Sequence, residues 1–186
     1  MQKRHRKNII ALESWENYDL EPRAGMKSLL DFLAITNQIK YNYNFIYTPT
    51  ELKYILETIP IKGYSLLYVA LHGSPEKIRT GSNTEFEISL SELAEVMGKR
   101  FEGFGLHFAS CAVMDSWQDT LFSFKEKTGL AFISGFTRYV DFQSSSVVDH
   151  ALISEWIYSR SYRRMFERMT EIHKKLFQKN GFEYLI

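Results

Sequence analysis

A single thiol and one histidine–glycine pair are the groups in this chain best suited to do chemistry. The thiol is Cys111, the only cysteine, and it closes the run Leu106-His107-Phe108-Ala109-Ser110-Cys111. The pair is His72-Gly73, which closes the run Tyr68-Val69-Ala70-Leu71. A cysteine attacks as its thiolate, and a neighbouring imidazole both favours that form and can protonate a leaving amine. Each group directly follows an apolar run of strand character. If the two strands are adjacent and parallel, both side chains emerge on one rim of the sheet. Gly73, having no side chain, leaves room for a substrate carbonyl, and the backbone N–H groups of Gly73 and Cys111 would form an oxyanion hole. A lone free cysteine is ordinarily a small buried hydrophobe, and a histidine beside a glycine ordinarily ends a strand. The argument for chemistry is the pair at matching strand ends. His107 is the rival base. It shares strand parity with Cys111 but lies four residues up the chain, about 13 Å away at strand rise, and reads as a hydrogen-bonded core histidine. His5, His150 and His173 sit in polar or helical settings and read as surface residues.

The elements that must position this pair alternate along the chain. Residues 8–14 read as a short buried strand. Met26, Leu29, Leu30 and Leu33 then fall at helical spacing through Ile39. Residues 41–47 form an aromatic-rich strand, and Thr48-Pro49-Thr50-Glu51 starts a helix with threonine at the N-cap and proline at N1. That helix runs to about Thr58. Residues 64–71 are the most strand-like run in the chain. Residues 77–88 suggest a hairpin turning at Gly81-Ser82-Asn83. Ser89-Leu90-Ser91-Glu92 is a capping box, and Gly98 stops its helix. A buried strand at 104–109 leads to Cys111. Asp115 N-caps the next helix, which Gly129 closes. A strand at 130–134, a polar loop at 138–146, a helix at 147–158 and an amphipathic helix at 161–179 follow, with a last short strand at 182–186. Strands apolar on both faces that alternate with helices call for a mostly parallel sheet covered on both sides. We expect an α/β, three-layer single domain over residues 1–186. The sheet should have about six strands, with 8–14, 64–71 and 104–109 central. Such sheets place their chemistry beyond the carboxyl ends of the strands, where His72 and Cys111 lie.

Composition narrows the function classes. The chain has 186 residues, 45% of them hydrophobic and 24% charged, enough to bury a core. A net charge of +1 is far below that of a protein held to nucleic acid by bulk charge. One cysteine excludes an intrachain disulfide framework and a paired-cysteine zinc site, and it suits a reducing, cytoplasmic compartment. Behind the basic start at 1–7 the apolar stretch 9–12 is too short for an export signal, and no run is long enough to span a membrane. No phosphate loop, paired-carboxylate site or metal-ligand spacing stands out, so neither a cofactor nor a metal is expected. The region from Arg160 to Lys179 is locally basic. It reads first as a solvated helix face and second as a surface for an anionic ligand or partner.

The order Tyr68-Val69-Ala70-Leu71-His72-Gly73, hairpin, capped helix, Leu106-His107-Phe108-Ala109-Ser110-Cys111 resembles the caspase-like cysteine peptidase superfamily, closest to bacterial CHAT-type domains. The likeness runs from about residue 8 to 158 and includes Ile133-Ser134-Gly135-Phe136-Thr137 followed by Val140-Asp141. It implies a three-layer caspase-like fold with Cys111 as nucleophile and His72 as acid/base. It also implies a substrate pocket bordered by Ser134, Gly135 and Asp141. Ser110-Cys111-Ala112-Val113 departs from the Gln-Ala-Cys-Arg-Gly pattern of true caspases, and no arginine pair maps as an aspartate clamp. A carboxylate at Asp141, with Asp149 following, would favour Arg or Lys next to the scissile bond; if Asp141 instead caps its loop, the pocket takes small apolar residues.

Three functions are weighed. The first is a cysteine endopeptidase acting on protein or peptide substrates. The resemblance implies a cytoplasmic bacterial effector of antiviral defence or cell death, switched on by a small-molecule signal or a partner protein, with no nucleic acid or membrane partner. A homodimer through the edge at 182–186 is part of that expectation. The second is a non-catalytic caspase-like module that binds a partner or a signalling nucleotide. The third is a different α/β hydrolase or transferase using the same thiol.

Overall fold

The computed structural model describes residues 7–14, 25–81 and 84–186. Its main sheet has six strands: β1 (Ile9–Glu13), β2 (Tyr41–Phe45), β3 (Leu66–Ala70), β7 (Gly105–Phe108), β8 (Phe132–Phe136) and β9 (Phe182–Leu185). They lie in the order β2-β1-β3-β7-β8-β9; the first five are parallel and β9 runs antiparallel to β8. β1, β3 and β7 are interior, as expected. A second, three-stranded antiparallel sheet joins β4 (His72–Ser74), β5 (Lys77–Arg79) and β6 (Glu87–Ser89).

The described residues form seven helices: α1 (Met26–Asn37), α2 (Pro49–Thr58), α3 (Leu90–Met97), α4 (Gln118–Thr128), α5 (Phe142–Tyr158), α6 (Tyr162–Ile172) and α7 (Lys174–Asn180). The Thr48 hydroxyl accepts the Glu51 N–H at 3.2 Å, with Pro49 at N1 of α2. Ser89 and Glu92 exchange both bonds of a capping box at the start of α3. Strand alternation then divides the core in two. Ile10, Leu12, Leu67, Val69, Leu106 and Phe108 face α2, α3 and α4. Ile9, Ala11, Leu66, Tyr68, Phe132 and Phe136 face α1, α5, α6 and α7. The result is the three-layer α/β architecture with a mostly parallel sheet that the strand pattern called for.

Several boundaries differ from the sequence expectations. His72 does not merely end β3; it opens β4, and the expected hairpin at 77–88 is the β5–β6 pair, with Lys77 opposite Ser89 and Ile78 opposite Ile88. The expected turn at Ser82-Asn83 lies outside the described residues, as do His5 and most of the basic start. Asp115 does not cap α4. It sits in a short 3-10 turn, Val113–Asp115, and the helix begins at Gln118. The loop expected at 138–146 is shorter, because Asp141 N-caps α5, which begins at Phe142 rather than at Val147. The helix expected over 161–179 is two helices that meet at His173, so Ile172, expected on the buried stripe, is 60% exposed. Among the described residues no helix is long and apolar enough to cross a membrane.

Candidate active site

β3 and β7 lie side by side with Val69 opposite Phe108, so the chain leaves both strands on the same rim. The Ala109 N–H donates to the Val69 carbonyl at 2.9 Å, extending the pairing beyond the strands. Ser110, buried, then ties the two exits together. Its hydroxyl donates to the Val69 carbonyl at 3.2 Å and accepts the Leu71 N–H at 3.3 Å. Farther out, the Glu76 N–H donates to the Ser116 hydroxyl at 2.7 Å, and that hydroxyl donates to the Val113 carbonyl at 2.6 Å. The turn after His72 is therefore fastened to the turn after Cys111.

Between these fastenings the backbones meet at Gly73. A β-carbon on that residue would stand 2.3 Å from the Cys111 carbonyl oxygen, 2.6 Å from a Val113 methyl and 2.9 Å from the Ser110 β-carbon. None of those distances is tolerable, and two of the three neighbours cannot swing away because they are backbone or a β-carbon. The sequence assigned the open space at Gly73 to a substrate; the structure fills it with the peptide of Cys111. Glycine is required here so that the His72 and Cys111 segments can touch. Ala112, the next residue, has φ +52°, a left-handed conformation unusual for a side chain with a β-carbon. Backbone strain of this kind concentrates at functional turns.

Cys111 and His72 are both half-buried, on the surface of the rim. The Cys111 sulfur lies against the peptide of Val140. The Val140 N–H donates to Sγ at 3.5 Å, and Sγ lies 3.6 Å from the Val140 carbonyl oxygen. The segment that carries Val140 is held in place by the Ala112 N–H, which donates to the Arg138 carbonyl at 3.1 Å. On the other side, His72 stands opposite Arg79 and Arg79 opposite Glu87 across the small sheet. Directly opposed residues share a face, so a guanidinium and a carboxylate stand in line with the imidazole. Lys77 bonds Glu87 at 2.9 Å from the same face. Sequence reasoning missed Arg79, because its neighbour across the sheet depends on the register of β4, a strand it did not foresee.

The expected pocket residues sit elsewhere. Ser134 is fully buried; its hydroxyl lies 3.0 Å from His107 Nδ1. Gly135 is buried too, with the Phe108 carbonyl oxygen 2.7 Å from where its β-carbon would be. Neither lines an open pocket. Asp141 is exposed and accepts the Ser144 N–H at 2.8 Å; that bond holds its carboxyl below the ordinary range. Asp149, expected near the rim, is instead wholly inside the core. It accepts the Tyr68 hydroxyl at 2.9 Å and lies 2.8 Å from His107 Nε2. Tyr68, His107 and Ser134 are consecutive cross-strand neighbours on β3, β7 and β8, and α5 lays Asp149 over them. Burial and the carboxylate hold the Tyr68 hydroxyl well above its usual pKa. His107 is thus the hydrogen-bonded core histidine its strand position suggested. Among the described residues no three His, Cys, Asp or Glu side chains are placed to hold a metal ion.

Comparison with known families adds one fact. A family model described as a family of unknown function (DUF6642) matches residues 6–184. The chain belongs to that family. No curated protein matches it.

Proposed function

We propose that this member of DUF6642 is a cysteine endopeptidase of the caspase-like type. Cys111 Sγ attacks the scissile carbonyl, and the Cys111 amide receives the developing oxyanion, the space beside Gly73 being taken by the Cys111 peptide. His72 takes the thiol proton and passes it to the leaving amine, which departs as the new amino terminus. Water then adds to the thioester, with His72 as base, and releases the carboxylate and the free thiol. The observation that carries this reading is the close approach of Gly73 to the Cys111 peptide, which brings the only thiol and a histidine onto one rim. The likeness in motif order, set on a three-layer sheet, supports it.

The contact of Sγ with Val140 gives the thiol a resting place on its own chain. This supports an effector switched on by a small-molecule signal or a partner protein, consistent with a cytoplasmic role in bacterial antiviral defence or cell death. The same contact is what a non-catalytic binding module would retain, and that is the second reading. β9 ends the sheet and offers an edge for a second copy. The test is incubation with a denatured protein substrate, with and without a small-molecule cell extract, followed by labelling of new amino termini. New termini that appear with the wild type and vanish with Cys111→Ala support the peptidase. Their absence under both conditions favours the binding module.

A further inference from the structure

The net charge of +1 conceals a separation of charge along the chain. Residues 1–7 carry four cations and no carboxylate, and residues 160–179 carry seven cations against two carboxylates. The rest of the chain holds 12 cations against 20 carboxylates. Where the two basic stretches lie in the fold therefore says more about partners than the total does.

The fold brings them together across 152 residues of sequence. Lys7 precedes β1, and its ammonium donates to the Trp156 and Ser159 carbonyls at 2.5 and 2.6 Å, at the end of α5. The same ammonium lies over the ring of Tyr162, the first residue of α6. Arg160 follows Ser159 and is exposed, as are Arg163 and Arg164 in the first turn of α6. Lys3, Arg4 and Arg6 precede Lys7 by four residues or fewer, so their backbone lies within about 14 Å of it. Lys7 is thus the tether that joins one basic stretch to the other.

Stability alone would not place these charges so. The first turn of α6 holds two arginines and no acidic residue, although the helix dipole favours a carboxylate there and disfavours a cation. Glu155, near the end of α5, is engaged by Arg168. Arg160, Arg163 and Arg164 have no ion-pair partner among the described residues. A local arrangement that works against folding is expected where a surface is kept for a ligand.

The side chains at this corner indicate which anion it takes. Five of the six cations besides Lys7 are arginines, whose planar fork matches a phosphate bidentately. Six cations spread over two chain segments suit a row of phosphates better than a single one. α6 has no apolar face left to lay into a bilayer, because Met165, Phe166 and Met169 are buried in the core. The corner is also remote from the thiol. Lys7 stands before the first residue of β1 and Cys111 beyond the last residue of β7, at opposite ends of parallel strands.

We propose that the corner between α5 and α6 is a nucleic-acid-binding surface that holds the phosphate backbone of a strand without reading its bases. The test measures fluorescence anisotropy of labelled single strands of about 20 nucleotides, one RNA and one DNA, with the whole chain between about 50 and 200 mM salt. Binding of either strand supports the proposal, and the difference between the two tells which kind the surface prefers. Arg160→Gln, Arg163→Gln and Arg164→Gln together should weaken binding at least tenfold at the low-salt end. They should also reduce the slope of log affinity against log salt by about 2, since each phosphate contact on a single strand contributes about 0.7. Glutamine at Lys3, Arg4 and Arg6 should reduce the slope by a similar amount. Lys99→Gln, Lys125→Gln and Lys127→Gln remove the same charge from the α2–α4 side of the sheet and should change affinity less than twofold. Cys111→Ala should bind as the wild type does, so the result is separate from that of the peptidase. No binding of either strand at the low-salt end, or an equal loss in the lysine triple, overturns the proposal. Binding to anionic lipid vesicles in place of both strands, lost in the arginine triple, also overturns it and makes the corner a membrane surface.

Discussion

At the scale of single residues, two positions carry the account and each makes a distinct prediction. Gly73 is held within a β-carbon's reach of the Cys111 carbonyl. Gly73→Ala must push the His72 and Cys111 segments apart, so covalent labelling of Cys111 by a peptidyl ketone should fall by more than tenfold. Labelling at the wild-type rate would mean that the close approach has no bearing on the site. Tyr68 belongs to the buried group with Asp149, His107 and Ser134, which lies on the opposite face of the sheet from the α2–α4 layer. Tyr68→Phe leaves Asp149 short of one donor in a dry environment, a loss of about 1–3 kcal/mol. Urea unfolding should show a lower midpoint with an unchanged slope. The placement of His72 and Cys111 just beyond two adjacent parallel strands and the core role of His107 were legible in the sequence. The reason is that each is punctuation in, or an interruption of, an apolar run. Asp149 was misread as a rim carboxylate. Yet it falls on the stripe of Val148, Leu152, Ile153 and Trp156, and that periodicity marks it as buried.

At the scale of elements, the strands and most caps were read well, Asp115 excepted, and the small sheet was not. Thr48, Ser89 and Gly129 mark helix ends by local chemistry that needs no tertiary contact, and each acts as its type suggests. β4 has only three residues, and its pairing with Arg79 is set by a tight hairpin through Pro75 and Glu76, with Glu76 in the left-handed region at φ +64°, a turn that its residue types do not announce. α5 starts at Phe142 because Asp141 caps it through the Ser144 N–H, and Phe142 and Val147 are exposed, so the helix opens before its buried stripe does. The far end of α5 depends on β1's neighbour Lys7. Its ammonium donates to the Trp156 and Ser159 carbonyls at 2.5 and 2.6 Å and lies over the Trp156 and Tyr162 rings. Partial burial lowers its pKa from the usual 10.5 to about 8. Because the folded pKa is the lower one, the unfolded chain binds more protons between pH 8 and 10.5, so this group raises stability as pH rises through that window. The difference in melting temperature between the wild type and Lys7→Met should therefore move in favour of the wild type from pH 7.5 to about pH 9.5. A difference that stays constant with pH would refute the assignment.

At the scale of the whole molecule, one rim gathers the groups proposed to do chemistry. Five parallel strands aim their carboxyl ends the same way, and the segments after β3, β7 and β8 carry His72, Cys111 and Val140 at that rim, with the Cys111 sulfur against Val140. The sheet could be read from the sequence because its interior strands are apolar on both faces. The basic corner between α5 and α6 could not, because it is assembled by the packing of Lys7 against Trp156 and Ser159, which no single segment specifies. The proposed peptidase activity and its activation rest on a working partnership between Cys111 and His72. The most direct test is the rate at which a peptidyl acyloxymethyl ketone becomes attached to Cys111, with the adduct located by mass spectrometry, in the wild type and in His72→Ala. The account predicts stoichiometric labelling of Cys111 in the wild type and a loss of about 100-fold or more when the imidazole is removed, the range of a general acid/base contribution. Equal rates in the two proteins would contradict it.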